Sequence, residues 1–213
     1  MERQKGDFIV IEGLDGSGKT IQSRLLADHL TQLGFKVSLS FEPTGGPVGS
    51  IIRQALVGRL EIDQRTLAAL FAADRLDHIS NPINGIHKHL EDGITEICDR
   101  YDLTSYAYQT RSVDEHWVWA LNSQVLRPDL TIFLDVSPEE CIRRLQRSRV
   151  DDEMFHDFAH LRESRERYLA AISKLRLQDR VTIIDGNGEV SKVTQSLTRV
   201  VDEFLATAGR LPL

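Results

Sequence analysis

Near the start of the sequence, residues 13–20 read GLDGSGKT and match the phosphate-loop pattern G-x-x-x-x-G-K-[ST]. Glycines let the backbone turn its N–H groups toward phosphate oxygens, and the helix that follows adds the positive end of its dipole. The lysine of such a loop reaches the β- and γ-phosphates, and the next hydroxyl residue can ligate Mg²⁺. The motif therefore predicts a nucleotide-binding loop with contacts from Gly13, Asp15, Gly16, Ser17, Gly18, Lys19 and Thr20.

The loop alone does not tell whether the terminal phosphoryl group passes to water or to a second molecule. Asp99 and Arg100 follow an apolar run, where the carboxylate could hold Mg²⁺ and the guanidinium could grip a phosphate. Phe71 and Arg75 lie four residues apart on one face of a predicted helix, where they could stack on a base and bond to its edge. The simpler alternatives are an ion pair at the strand end for Asp99 and Arg100, and a core position for Phe71.

Two further features bear on phosphoryl transfer. The Asp15 carboxylate lies close to where phosphates bind, so a hydroxyl of a second substrate would give it a purpose; an exposed loop position is the alternative. Arg143, Arg144, Arg147 and Arg149 fall within seven residues. Arginines can stabilise the charge that develops on a phosphoryl group in transfer, and they do so best when they approach it only after both substrates have bound. We therefore predict a mobile lid at about 146–157, the alternative being a solvated helix whose arginines pair with acidic residues 151–153.

The elements that position these residues alternate between strand and helix along the whole chain. Strands are predicted at 8–11, 36–41, 94–98, 130–134 and 181–184, and about nine helices separate or follow them. Among these helices, one runs from Asn81 to about Asp92 and another from Asp114 to Leu126, while residues 99–113 are assigned to no helix. The pattern predicts an α/β fold with a five-stranded parallel sheet, helices on both faces and a single domain over residues 1–213.

Composition excludes several kinds of partner. The chain has 213 residues and a formal net charge of −6, which argues against nucleic acid and against an anionic membrane surface. A run of about 18 apolar residues, which a membrane span would need, does not occur. Cys98 and Cys141 show no pairing spacing and are interpreted as buried free thiols in a reducing cytosol, so the predicted location is cytoplasmic.

Five stretches together resemble the thymidylate kinase family. In chain order they read FIVIEGLDGSGKT, EPTGGP, LFAADR, DRYDLTSYAYQ and LDVSPEECIRRLQR, and they span nearly the whole sequence. The resemblance implies a phosphate-loop kinase fold, transfer of the γ-phosphoryl group of ATP to dTMP with Mg²⁺, and a homodimer. The partners so implied are small-molecule nucleotides.

Matched positions carry implied roles in acceptor binding. Asp15 would hold the 3′-hydroxyl of dTMP and Arg100 its phosphate, with Asp99 and Thr20 serving the metal. Phe71 would stack on thymine and Arg75 would bond to its carbonyl edge. The remaining acceptor residues would be Ser105, Tyr108 and Gln109, of which the tyrosine crowds the 2′ position and favours deoxyribose.

On the ATP side, the resemblance implies that Lys19 and Arg100 act in transfer together with the lid arginines. Arg144 would contact ATP, and Arg147 and Arg149 would be catalytic. Some relatives carry the key arginine in the phosphate loop after the acidic residue. In this sequence that position is Gly16, so the lid must supply the arginine.

The sequence departs from the family pattern at two informative positions. The family usually has arginine just before Glu-Pro, where it touches the acceptor phosphate, but this chain has Phe41. Either Arg100 and another residue such as Arg53 compensate, or the acceptor site is altered. Ile21 replaces a polar residue after the phosphate loop. These departures leave two alternatives open, namely a kinase for another deoxynucleotide or nucleoside and a nucleotide-binding homologue that transfers no phosphate.

Overall fold

A single five-stranded parallel sheet forms the centre of the protein. The structure, a computed structural model, describes residues 5–148, 158–175 and 181–210. In these residues the strand order is β2-β3-β1-β4-β5, and every neighbouring pair runs parallel. The strands are β1 (Phe8–Gly13), β2 (Val37–Phe41), β3 (Thr95–Asp99), β4 (Leu130–Asp135) and β5 (Val181–Asp185). The predicted fold class is therefore confirmed.

Nine α-helices in the described residues connect and cover these strands, with a 3₁₀ turn at Gln109–Arg111. They are α1 (Lys19–Gln32), α2 (Pro47–Leu56), α3 (Gln64–Ser80), α4 (Ile86–Glu91), α5 (Asp102–Tyr108), α6 (Glu115–Leu121), α7 (Pro138–Ser148), α8 (Phe158–Leu175) and α9 (Val190–Thr207). None of the described helices combines the length and apolar character that a bilayer crossing requires.

Successive side chains of β1 enter different cores, because neighbouring residues of a strand point to opposite faces. Ile9 and Ile11 pack with apolar residues of α1 and α9. Phe8 and Val10 pack with Ile79 of α3 and with α4 on the other face. Burial on both faces accounts for the uninterrupted apolar run of this strand.

Strand pairing brings two predicted site segments to the same edge of the sheet. Ile11 of β1 pairs with Asp99 of β3, and Gly13 pairs with Leu134 of β4. The phosphate loop therefore begins beside the end of β3. Ligands of open parallel sheets collect beyond these carboxyl ends.

The structure corrects the helix prediction between β3 and β4. Residues 102–108 form α5, which the sequence analysis missed because nearly all its side chains are buried and show no amphipathic period. The helix predicted to end at Leu126 ends at Leu121, where the Asn122 side chain donates to the Val118 carbonyl.

A second correction concerns the helix predicted to begin at Asn81. Asn81 instead ends α3, and its side chain accepts a hydrogen bond from the backbone N–H of Ile83. That local turn competes with helix formation, and α4 begins only at Ile86. Most of the predicted lid, residues 149–157, lies outside the described residues.

Candidate active site

The phosphate loop, residues 13–18, joins β1 to α1 and lines a cleft of about 660 Å³, here called the phosphate-loop cleft. Gly18 caps α1 in a left-handed conformation with φ 92°, which glycine adopts without steric cost. Although the protein is acidic overall, cationic side chains gather around this cleft. They are Lys19, Arg100, Arg143, Arg144 and Arg147.

Gly16 lies against the first turns of α7. Its φ is +81°, and a Cβ atom there would lie 2.6 Å from the Cys141 carbonyl oxygen and 2.9 Å from the Leu145 Cγ atom. Any side chain at this position would therefore push α7 away from the loop. An arginine at position 16 does not fit this packing, and the lid as the source of a catalytic arginine stays a prediction.

Lys19 is buried beside the loop that it is predicted to serve. Its Nζ atom donates to the Leu14 carbonyl at 2.6 Å. Burial and, to a smaller extent, the charge of Arg100 lower the pKa of Lys19 to about 8, against the opposing effect of Asp15 and Asp99. The amine is thus a cation placed where additional negative charge would stabilise it.

Thr20 and Asp99, the two predicted metal ligands, are in direct contact. The Thr20 hydroxyl donates to Oδ2 of Asp99 at 2.5 Å. The other Asp99 oxygen, Oδ1, is buried and has no hydrogen-bond partner among the described residues. A hydroxyl oxygen and a carboxylate oxygen without a hydrogen-bond partner, both at the phosphate loop, are ligands that suit Mg²⁺.

Asp15, Arg100 and Tyr108 form a cluster at the mouth of the loop. An Asp15 carboxylate oxygen accepts a hydrogen bond from the Arg100 guanidinium. The Tyr108 hydroxyl lies 3.3 Å from both the backbone nitrogen and Oδ2 of Asp15. The Arg100 guanidinium is 5.8 Å from the centre of the Tyr108 ring. Three residues predicted from separate segments are therefore brought together.

Arg100 has an unusual backbone conformation. It is the non-glycine residue with positive φ, at 74°, in the described chain. Its N–H donates to the Ile11 carbonyl at 3.0 Å, which continues the ladder from β3 to β1. Such conformations cost about 1–3 kcal/mol and persist where the surroundings impose them. The turn directs the side chain toward Asp15 of the phosphate loop.

Glu12 is a supporting residue that the sequence analysis missed. It is 0% exposed, and its carboxylate accepts hydrogen bonds from the backbone N–H groups of Tyr101 and Thr104 at 2.7 and 3.1 Å. The hydroxyls of Thr104 and Tyr168 also donate to it, at 2.7 and 3.1 Å. Glu12 thereby fixes the start of α5 against β1. A glutamate inside the apolar run FIVIEG was the signal that could have revealed it.

Arg75 is buried within a polar network on α3. Its Nε atom donates to Glu42 at 2.8 Å, and its Nη2 atom to the Tyr101 carbonyl at 2.9 Å. Its Nη1 atom donates to Ser105 at 3.1 Å and to the Asn122 side chain. Because the Arg75 side chain is 0% exposed, a contact with a base edge requires the exchange of one of these partners. The sequence analysis predicted that Arg75 contacts a base but did not predict that its side chain is buried.

The other predicted acceptor residues differ in their surroundings. Ser105 is 0% exposed, and its hydroxyl oxygen accepts a hydrogen bond from Arg75. Phe71, one helical turn before Arg75, is 8% exposed and takes no part in the aromatic pairs of the described residues. Gln109 begins the 3₁₀ turn, and its buried side-chain oxygen has no hydrogen-bond partner in the described part of the chain. Their roles toward an acceptor remain predictions.

Arg144 ties together the two loops that border the phosphate-loop cleft. It donates to the Ser17 carbonyl at 3.1 Å and to the Gly186 carbonyl at 2.8 Å, while Glu140 accepts from its Nε atom at 2.7 Å. Arg147, one turn further along α7, is exposed and lines the cleft. Arg149 lies outside the described residues.

The two departures from the family pattern lie at the surface. Phe41 is 54% exposed at the end of β2, and Ile21 is 51% exposed in the wall of the phosphate-loop cleft. Arg53 donates to the Pro43 carbonyl at 3.1 Å and also to that of Thr44. The guanidinium considered as a substitute is therefore bound to the loop that follows Phe41.

Comparisons with known proteins agree with this architecture. The thymidylate kinase family model matches residues 11–197. A probable thymidylate kinase of Pyrococcus horikoshii is 42% identical over 148 residues, which cover 67% of this chain and 71% of that protein. A probable thymidylate kinase of Thermococcus kodakarensis is 33% identical over 93% of this chain and 98% of its own length. A thymidylate kinase of Caldicellulosiruptor saccharolyticus is 35% identical over 94% and 98% respectively. The chain therefore belongs to the thymidylate kinase family.

Proposed function

We propose that this protein transfers the γ-phosphoryl group of ATP to dTMP in the presence of Mg²⁺, yielding dTDP and ADP. The observation that carries the proposal is the cluster of Asp15, Arg100 and Tyr108 beside the phosphate loop. A hydrolase needs only a positioned water, whereas this cluster offers a cation, a carboxylate and a phenol suited to a second nucleotide. The names of the relatives support dTMP as that nucleotide.

In the proposed mechanism, Arg100 holds the acceptor phosphate and releases Asp15 to bond the 3′-hydroxyl. An oxygen of the acceptor phosphate forms a bond to the γ-phosphorus while the bond to the β–γ bridging oxygen breaks, and ADP leaves with that electron pair. Lys19 faces the β- and γ-phosphates, and Arg147 and Arg149 approach the group in transfer. Bound to Thr20 and Asp99, Mg²⁺ would neutralise phosphate charge.

We assign recognition of the base and sugar to α3 and α5. Phe71 stacks on thymine, and Arg75 bonds a thymine carbonyl in exchange for one of its present partners. Ser105 and Gln109 face the nucleoside, and the unsatisfied Gln109 oxygen supports a polar contact there. Tyr108 restricts space at the 2′ position. Arg144 closes over ATP between the phosphate loop and the loop after β5.

A second candidate function has one observation in its favour. Phe41 leaves an exposed phenyl ring where the family pattern expects an arginine for the acceptor phosphate. A charge-assisted hydrogen bond contributes about 1.5–3 kcal/mol, which a ring does not replace. A kinase for a different deoxynucleotide or for a nucleoside is therefore the alternative.

One assay separates these functions. We expect ADP formation from ATP and Mg²⁺ to depend on dTMP in a panel that also contains dCMP, dUMP, dGMP and thymidine. Faster turnover on dCMP or thymidine would establish the alternative. ATP binding without ADP formation in the presence of any acceptor would indicate a nucleotide-binding protein that transfers no phosphate.

We further propose a cytoplasmic homodimer. Cys98 and Cys141 are buried free thiols, which supports a reducing compartment. Exposed apolar side chains on α2 and α3, among them Leu56 and Leu76 at 50% and 41% exposure, offer surface for a second copy. Light scattering is expected to give twice the mass of one chain, and a monomer at micromolar concentration would contradict this proposal.

A further inference from the structure

Three metal-ligating side chains of different chemistry meet on the side of the sheet away from Asp99. They are Glu42 after β2, His78 on α3 and Cys98 on β3, and their ligand atoms all lie within 4.8 Å of one another. Cys98 and Asp99 are consecutive strand residues, so their side chains point to opposite faces of the sheet. The cluster is therefore separate from Thr20 and Asp99.

The spacing within the cluster is close to that of a zinc site. The His78 Nδ1 atom lies 3.1 Å from Oε1 of Glu42. Two ligands of a tetrahedral zinc ion with bonds of about 2.0–2.1 Å lie about 3.3 Å apart. An ion between these atoms would replace the proton that they share. The three ligand atoms lie within 4.8 Å of one another, and the Cys98 thiol would exchange its present hydrogen bond to the Arg100 carbonyl, at 3.0 Å, for the ion.

A fourth side chain, the carboxylate of Glu96, supplies an independent sign of a missing partner. Glu96 is 1% exposed, and its Oε1 atom has no hydrogen-bond partner among the described residues. Its Oε2 atom lies 2.7 Å from Nδ1 of His89, an arrangement that orients the carboxylate. Glu96 and His78 line one cleft of about 450 Å³, the β2-edge cleft, together with Phe41, Asp77, Asn81 and His89. His78 is the cluster residue that lines this cleft, so it connects the cluster to solvent.

Local charge also favours a cation. Glu42, Asp74 and Glu96 are each at most 4% exposed. Arg75 forms an ion pair with Oε2 of Glu42, which leaves Oε1 directed to His78. His78 and His89 contact Glu42 and Glu96 and carry charge only when protonated. With neutral imidazoles, a divalent ion would balance carboxylate charge that is costly to bury.

We propose that Glu42, His78 and Cys98 form a binding site for a transition-metal ion of the zinc class, with Glu96 beside it and access through the β2-edge cleft. Sulfur and imidazole ligands select zinc over magnesium, which prefers oxygen. Three protein ligands leave a fourth position for water or Glu96. This site is independent of the identity of the phosphate acceptor.

The test uses the full chain after treatment with a chelator, titrated with Co²⁺ and then Zn²⁺ in excess Mg²⁺, which occupies oxygen-rich sites. We expect thiolate-to-cobalt absorption in the near ultraviolet that saturates at one Co²⁺ per chain and is removed by Zn²⁺. Cys98→Ser should abolish this absorption, and both Cys98→Ser and His78→Gln should weaken Zn²⁺ binding at least about tenfold. Cys141→Ser, which removes the other buried thiol, should leave both measurements unchanged.

Absence of the absorption from the wild-type protein overturns the proposal without any variant. Loss of the absorption in Cys141→Ser, with its retention in Cys98→Ser, would also overturn the proposal, because the thiolate that binds cobalt would then be Cys141 of α7. Circular dichroism identifies a variant that fails to fold. If Cys98→Ser fails to fold, the cobalt absorption of the wild-type protein and the Zn²⁺ affinity of His78→Gln decide the test.

Discussion

The two halves of the candidate active site hold their cations in different ways. Around the phosphate loop, Lys19 and Arg144 donate to backbone carbonyls, Arg144 also pairs with the half-buried Glu140, and Arg147 is exposed in the cleft wall. On the acceptor side, Arg75 is buried, with a carboxylate, a hydroxyl and an amide among its partners. The first arrangement leaves charge ready for a ligand, whereas the second fixes a guanidinium before any ligand arrives.

Because of this difference, substitutions in the two halves should affect turnover and folding stability differently. An exposed cation such as Arg147 contributes little to folding, because solvent screens its interactions. A buried ion pair is costly to break, because the remaining charge cannot regain its hydration. We therefore expect substitutions in the phosphate-loop half to change turnover and substitutions in the Arg75 network to change folding as well.

The largest expected effect is on turnover. Arg147→Ala should lower kcat by about 10³-fold, with a smaller change in acceptor KM, because the arginine would act on charge that develops during transfer. Steady-state kinetics and a melting curve measure both consequences. Arg162→Ala removes an exposed arginine of α8 that pairs with Glu166, and it should leave kcat unchanged. If kcat holds in Arg147→Ala, the catalytic arginine lies elsewhere in the lid.

The next effect is on stability. Glu42→Gln should lower the free energy of unfolding by about 3–5 kcal/mol, because Arg75 loses its buried countercharge. Its matched control is Glu140→Gln, which removes the partner of Arg143 and Arg144, whose side chains are 49% and 25% exposed. The control should cost less than about 1 kcal/mol. Urea denaturation of both variants tests the contrast, and equal losses would refute it.

A third prediction concerns acceptor binding. Phe71→Ala should raise the acceptor KM roughly 5- to 150-fold, since stacking on a base contributes about 1–3 kcal/mol. Ile79→Ala truncates another buried residue of α3, which packs in the core with Phe8 and Val10. That control should lose stability but keep its acceptor KM. An unchanged KM in Phe71→Ala would make Phe71 a core residue only.

Residue patterns predicted the parallel sheet and the phosphate loop because both are local. Thr20 and Asp99 were assigned to the metal from their motifs, and they lie in contact. The contacts of Glu12 and Asn122 were missed because their partners lie far along the chain, and residue spacing carries no trace of such contacts. The burial of Arg75 follows from the same long-range network.

The cluster of Glu42, His78 and Cys98 shows the same limit. Its members come from three elements and span 57 positions of the sequence, so no short motif contains them. Strand register and the packing of α3 bring them together. Metal sites with short ligand spacings are visible in a sequence, whereas a site assembled from separate elements requires the fold.

The smallest predicted effect concerns pH and returns to the phosphate-loop half. Burial, followed by the charge of Arg100, lowers the pKa of Lys19 to about 8 in the free protein. Bound triphosphate adds negative charge and raises this pKa, so above pH 8 binding must take up a proton. The Kd for ATP should therefore stay nearly constant up to about pH 7.5 and rise about tenfold between pH 7 and pH 9.

Calorimetry in buffers of different ionisation enthalpy measures both Kd and the proton uptake. Lys19→Arg should lose the pH dependence, because a guanidinium keeps its proton throughout this range. A flat profile in the wild-type protein would mean that Lys19 is fully charged without ligand. The comparison between the two halves of the site would then be wrong for Lys19, because its charge would be as well stabilised as that of Arg75 before any nucleotide binds.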